Sequence, residues 1–447
     1  MAKKKKPAHK THEQQPLPEL PLPDRRMEYA CTIARHNDEG PLPTGQPTEK
    51  GSAHRKESEM KQLCRLALAL LLLAVNSAAA VERIVAVRDD ASLRTAVKSA
   101  RPGTHILIAP GRYRPGVWVE NTQGTANEPI IIEGGNPQHP PLFQGGSEAC
   151  HFAGCSYLTL RNLAIQGQTE NGLNLDDGGK YDKPAHHIVL EKIQVSDIGP
   201  RGNHDAIKLS GVDDFVVHDC QVDGWGGQSV DMVGCHRGLI EGCRFLGKPE
   251  CSQETGPQCK GGSSQITIRR CLFRNGGLRA VNLGGSTGLK FFRPQGALYE
   301  AKDLCVEGCA FVGSVAPIAF AGVDGAVVRY NTIYHPSKWV MRILQETIEP
   351  GFVPCRNGRF EHNLIVFRRA EVQVLVNVGP HTQPESFSFS QNLWYCEDRP
   401  ASSKPPLPTP ETGGLYGINP QLIAPEQNLF KPQAPQAVVF GALAWKP

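Results

Sequence analysis

The chain has 447 residues, 40% of them apolar and 21% charged, with 46 Gly and 36 Pro. That is too apolar for disorder and long enough for a folded body of one or two domains. The formal charge of +4 is uneven: 13 of the 48 basic and 9 of the 44 acidic residues precede residue 81, leaving 35 of each in the remainder, and so neutral a body argues against nucleic acid as partner.

Residues 1–59 are Lys- and Pro-rich without apolar periodicity, and read as a disordered extension or a mis-assigned start. Met60, Lys61 and Arg65 then precede an apolar run from Leu66 to Val75 and the small residues Ser77 to Ala80, the order of a secretory leader over 60–80. The run is too short to span a bilayer. This predicts cleavage after Ala80 and a mature chain that is secreted, periplasmic or on the cell surface, with no transmembrane segment. Next comes a short amphipathic helix, Ala91 to Ala100, then Pro102-Gly103 and a strand from Thr104 to Ala109.

From residue 157 onward nine strand-like runs overlay on one another. Centre each on Leu163, Ile193, Cys220, Cys243, Cys271, Cys309, Asn331, Asn363 and Asn392. Three residues earlier stand Leu160, Leu190, Val217, Ile240, Ile268, Val306, Val328, Phe360 and Phe389, and two later stand Ile165, Val195, Val222, Phe245, Phe273, Phe311, Ile333, Ile365 and Trp394. All eighteen are apolar. The centres are 22 to 38 residues apart, so a constant core carries variable loops. Period-two alternation says strand, and the change of parity at the centre says corner. A third strand is read from Leu173-Asn174-Leu175, Ile207-Lys208-Leu209, Val230-Asp231-Met232, Val281-Asn282-Leu283 and Ile318-Ala319-Phe320.

Three strands per turn predict an all-β protein, a parallel β-helix of about nine or more turns over 81–410, capped by the short helix and followed by an irregular strap over 411–447. The small or self-bonding centres suit an inward corner column. Arg161, Glu191, His218, Glu241, Arg269, Glu307, Arg329 and Glu361, two residues before the centres, predict an outward ladder of mostly alternating charge. Fourteen Cys occur, of which Cys31 and Cys64 fall outside the mature chain. Cys251 and Cys259 are spaced to close the insertion between them by a disulfide, or to remain free thiols.

With these turns, the segments ASLRTAVKSARPGTHILIAPGRYR and NEPIIIEGG resemble the pectate-lyase-like superfamily of right-handed parallel β-helices, most nearly the polysaccharide lyase family of chondroitinase B and alginate lyases. The resemblance covers most of residues 91–396 and implies a right-handed coil. It is specific for fold, since this architecture hosts lyases, hydrolases, epimerases, esterases and adhesive proteins. It also implies an acidic, uronate-containing polysaccharide as partner and β-elimination as reaction; a monomer is expected. CKGGSSQITIRRCLFRNGGLRAVNLGG is similar to the family's catalytic segment, where a Lys acts as base and an Arg one turn on assists. Lys260 falls at the base, and Arg279 or Asn282 at the assisting position.

The family's calcium-binding acidic pair is reduced here to Glu254. His204, Asp205, Lys208 and Asp231 form a second cluster, in which carboxylates on adjacent turns suit calcium, with Asp205, Asp231 and Glu254 as ligands. Asp205 and Asp231 equally suit the acid and base of a glycoside hydrolase, which stand about 5 to 9.5 Å apart. Lys208, His204 and Arg270 are candidate substrate-binding groups that would add positive field. Three functions stay open: a lyase, a hydrolase on the same fold, and a non-catalytic carbohydrate-binding or surface protein.

Overall fold

A computed structural model describes residues 83–446; the extension, the leader with its cleavage point, Cys31 and Cys64 lie outside the described residues. Within them the chain winds through three long parallel sheets of 12, 12 and 10 strands, in each of which neighbouring strands come from successive turns. This is a right-handed parallel β-helix. The register joins like positions of the repeat: Leu160, Leu190, Val217, Ile240, Ile268, Val306, Val328, Phe360 and Phe389 pair in sequence along the first sheet. Ile165 through Trp394 do the same along the second. All eighteen face the interior and none is more than 2% exposed.

Between these sheets the chain bends through one left-handed residue per turn, Asn162, Lys192, Asp219, Gly242, Arg270, Gly308, Tyr330, His362 and Gln391, each with φ between 51° and 65°. The bend carries the next residue inward, and that residue is the centre of the repeat. The amide of Ile193 donates to Cys220 Sγ, that of Cys271 to Cys309 Sγ, and that of Cys309 to Asn331 Oδ1. Asn is the more complete device, because it both accepts and donates. Asn363 Oδ1 takes the amide of Asn331 at 2.9 Å, while its Nδ2 donates to the carbonyl of Val328 at 3.0 Å. The column closes on Glu411, which accepts from Asn392 Nδ2 at 2.7 Å.

The charge ladder forms on the outer face, with Arg161–Glu133 at 2.6 Å, Arg269–Glu241 at 3.0 Å and Arg329–Glu307 at 2.7 Å. The helix spans Asp90–Ser99, is opened by a reciprocal Asp89–Ser92 capping box, and buries Leu93, Ala96 and Val97 over the first turns. Two complete turns and the lone strand Arg83–Val87 precede those read in the repeat. Ile132 pairs with Leu160 and Phe143 with Ile165, so here the two strands are eleven positions apart instead of five, and the inserted loop hides the spacing. At the other end, Phe430, Ala434, Ala437 and Phe440 pack on Leu272, Val312, Leu364 and Leu393 of the second sheet. All twelve described cysteines are free; Cys259 points into the core and Cys251 stays on the preceding loop, so the disulfide foreseen as one option is not made.

Replacing Asn363 with Ala strands one buried N–H and one buried C=O, and is predicted to cost about 2 to 5 kcal/mol. Urea unfolding of the variant measures this; a midpoint unmoved from that of the parent would show that the column does not hold the corner.

Candidate functional site

On the third sheet the alternation places one residue per strand outward, and the parallel register stacks these residues. In order along the coil they are Trp118, His151, Asn174, Lys208, Asp231, Gln258, Asn282, Ala319, Arg342 and Asn377. Strand spacing of about 4.8 Å separates the rungs. Two residues further along its strand, Lys260 also faces outward, and Arg279 opens the strand that carries Asn282.

These side chains form one chain of polar contacts. Lys208 Nζ donates to Asp205 Oδ2 at 2.7 Å and to Asp231 Oδ2 at 3.0 Å, while Asp231 Oδ1 lies 3.1 Å from Lys260 Nζ. Gln258 Nε2 approaches Asp231 Oδ1 at 3.4 Å, and Gln258 Oε1 accepts from Asn282 Nδ2 at 2.7 Å. Arg279 reaches Asn282 Oδ1 at 3.4 Å and forms an ion pair with Glu346 at 2.6 Å. Six of the nine sequence-selected residues therefore share one network: Lys208, Asp205, Asp231, Lys260, Asn282 and Arg279.

The other three stand apart. Arg270 is the left-handed corner residue between the first and second sheets, and pairs with Glu241 at 3.5 Å; its place is set by the bend, one corner away from the ladder. Glu254 is exposed at the mouth of the strand Thr255–Lys260 and makes no side-chain hydrogen bond or ion pair among the described residues, including with the aspartates. His204 lies on the segment leading into Ile207–Ser210, with its Nδ1 3.3 Å from Glu170.

The donor set does not fit the calcium cage that the sequence suggested. Lys208 already stands between the two carboxylates, and Glu254 does not join them. Among the described residues no three His, Cys, Asp or Glu side chains gather closely enough to hold a metal ion. The hydrolase pairing meets a related obstacle: Asp205 is 0% and Asp231 1% exposed, and Asp205 is occupied by Lys208 and the amide of Gln228. An acid and base for glycoside cleavage must reach the sugar, and these two are sealed beneath Lys208.

Burial, with the charge of Asp231 added, pushes the Asp205 carboxyl up to about 6 against the opposing pull of Lys208. For Asp231, burial is outweighed by Lys260 and Lys208, and its carboxyl is held below the usual range. Lys208, desolvated but set between two carboxylates, keeps its proton more firmly than a free lysine.

Two contributors were not legible in the sequence. Gln258 lies on a strand masked by Pro257, a residue that argues against a ladder position. Glu300, fully buried, accepts the amides of Gly261 at 2.8 Å and Thr287 at 3.1 Å and the hydroxyl of Thr347, so it fixes the turn behind Lys260. That turn needs glycine at 262: φ is +88°, and a Cβ would stand 2.5 Å from the carbonyl oxygen of Arg293.

A coil of parallel strands with a polar outer ladder defines a class of protein, and comparison with known families gives the same class. The family model described as "Right handed beta helix region" matches residues 148–295 and again 205–367. The resemblance to the pectate-lyase-like β-helices holds at the level of fold. No curated protein matches the chain. Among solved structures, an alginate lyase from Paenibacillus sp. str. FPU-7 is 17% identical over 67% of this chain and 97% of its own, with a TM-score of 0.42. A PL6 family polysaccharide lyase from Pseudopedobacter saltans is 12% identical over 81% and 100%, with a TM-score of 0.47. A GH136 lacto-N-biosidase from Eubacterium ramulus is 13% identical over 69% and 67%, with a TM-score of 0.41. The fold rests on the sheets and the family model, and the chemistry on the residues.

Removing the cation of the Asp205–Lys208–Asp231 triad leaves two buried carboxylates without it, so Lys208→Met is predicted to destabilise the fold by about 3 to 5 kcal/mol at neutral pH. Asp205 has a raised pKa in the folded state even with Lys208 pulling it down, so its ionised form is the costly one; without Lys208 it is raised further, and protonation on acidification relieves the variant more than the parent. The deficit should therefore narrow between urea titrations at pH 7.5 and pH 5. A deficit that widens on acidification would contradict the assigned charges.

Proposed function

We propose that this protein is exported and acts, as a monomer, on a uronate-containing polysaccharide by β-elimination, with Lys260 as the base. The observation that carries this reading is the convergence of Lys260, Asn282 and Arg279, from two successive turns, on the outer wall of the third sheet. Among the described residues no helix is long and apolar enough to cross a membrane.

Elimination removes the proton next to the uronate carboxylate and expels the glycosidic oxygen across the adjacent bond, so a site must neutralise the carboxylate and supply a base. Lys260 has its side chain 11% exposed and its nitrogen on the ladder face. As the free amine, having first released its own proton to water, it takes the proton next to the carboxylate and becomes the ammonium, while the departing oxygen is protonated by water. Arg279 and the Asn282 amide hold the carboxylate; to do so Arg279 exchanges its bond to Glu346 for one to the substrate. Glu300 acts behind Lys260 as a positioning residue through the Gly261 turn.

Incubation with uronate polymers is the test. Cleavage by elimination leaves an unsaturated end that absorbs in the ultraviolet, whereas hydrolysis yields reducing ends without that band. Lys260→Ala is predicted to lower the rate by about 10² to 10⁴ while the fold, read by circular dichroism, is retained. Intact activity in that variant would remove Lys260 from the reaction, and the absence of any cleavage would favour a binding protein.

Because Lys208 stands between the two aspartates, catalysis is predicted to persist in EDTA at a rate within about twofold of the untreated protein, whereas in a metal-dependent site even the loss of one hydrogen-bonding partner of a ligand costs about 10-fold or more. Activity abolished by the chelator and restored by calcium would return the ion to this site.

A further inference from the structure

At the N-terminal end of the same ladder, the outer wall holds a pocket of about 330 Å³ lined by Trp118, Glu120, Asn121, His151, Asp176 and Lys180. It spans the rungs of Trp118, His151 and Asn174, three to five rungs from Gln258 or about 14 to 24 Å at strand spacing, and takes no part in the chemistry assigned to Lys260. Trp118 is 53% exposed, with its ring 3.9 Å from that of His151 and its indole N–H donating to Glu120 at 2.6 Å. What sets this ring apart from other exposed apolar side chains is that it forms one wall of a pocket, where it offers a flat apolar face beside polar groups.

The pocket is rigidly built. His151 donates to Asp176 at 2.7 Å, and its other ring nitrogen lies 3.3 Å from Glu148, close enough for an ion pair though poorly aligned for a hydrogen bond. Burial favours the neutral imidazole, but the two carboxylates outweigh it and hold His151 up to about 9. Lys180 reaches across to Asn121 Oδ1 at 2.9 Å from the turn Asp177–Lys180. That turn is clamped from the far side by Arg293, whose side chain passes over Gly234 and Gly211, where any Cβ would collide with it, to pair with Asp177 at 2.5 Å. Arg293 also lies 4.3 Å from the Tyr181 ring.

The charges select the occupant. Glu120 and Asp176 face the space, Glu148 stands behind, and His151 is already shared between two carboxylates, so Lys180 is the one cation turned to the opening among the lining residues. A uronate carboxylate entering here meets like charge, whereas sugar hydroxyls find acceptors on both acids and donors on Asn121 and Lys180. We propose that this pocket is a subsite for an uncharged pyranose, stacked on Trp118, so that the chain bound along the ladder is a heteropolysaccharide with neutral residues beside its uronates. The final clause rests on the lyase reading; the pocket's preference for a neutral sugar does not.

Titration calorimetry of the full chain, with cellohexaose, mannohexaose, galactohexaose and chitohexaose beside hexamers of mannuronate and galacturonate, tests this without turnover of the neutral probes. At least one neutral hexamer should bind with quenching of tryptophan fluorescence. Trp118→Ala should weaken that binding by about tenfold or more, and Trp118→Phe, which keeps a ring, by about threefold or less. The same variants should leave binding or cleavage of the uronate hexamers unchanged. No binding by any neutral hexamer, indifference to Trp118→Ala, or an effect of Trp118 on the uronate hexamers instead would overturn the proposal. Neutral binding that needs Trp118, in a protein that cleaves no uronate polymer, would sink the Lys260 reading and leave this pocket standing.

Discussion

The corner between the first and second sheets governs the rest of the molecule. There the chain must change direction while its backbone is buried, and a buried amide without a partner costs about 1 to 3 kcal/mol. One left-handed residue makes the bend, and the next turns its side chain inward to serve the backbone of the neighbouring turn, as Asn363 serves Asn331 and Val328. Because each corner from Cys220 to Asn392 is bonded to the turn beside it, these turns resist slipping relative to one another. Register along all three sheets follows, and with it the alignment of side chains dozens of residues apart.

That alignment makes an ordinary strand residue part of a site. Lys208, Asp231, Gln258 and Asn282 are each one outward position on one strand, and each becomes a neighbour of the next by stacking alone. Their chemistry then follows from what covers them. The aspartates sink beneath Lys208 and serve the fold, while Lys260 and Arg279, nearer the rim, retain contact with water. Stability and function thus occupy the same ladder at different depths.

Loops on the flank of the third sheet give its two ends different characters. The segment from Thr287 to Glu300 ties down the turn behind Lys260 through Glu300 and the turn beside Trp118 through Arg293. One insertion therefore shapes both the cationic middle of the wall and the aromatic, acid-lined pocket at its end. The second sheet needs no such loops; its apolar outer face is covered by the C-terminal strap around Phe430 and Phe440.

The repeat was legible because a coil writes its geometry into a one-dimensional period: inward positions such as Val217, Ile240 and Ile268 must be apolar on every turn, and corners such as Cys243 and Asn331 must be small or self-bonding. For the same reason the period alone places Lys208, Asp231 and Asn282 on third strands. Depth and partnership were a different matter. Arg270 looked like a groove residue but sits at a bend; Asp205 and Asp231 looked like an open pair of carboxylates but enclose a lysine; Gln258, Glu300 and the Trp118 pocket left no periodic trace. Periodicity fixes which residues share a wall, because it repeats with each turn. What lies over that wall is decided by insertions of unique sequence, and only packing in three dimensions reveals where they fall.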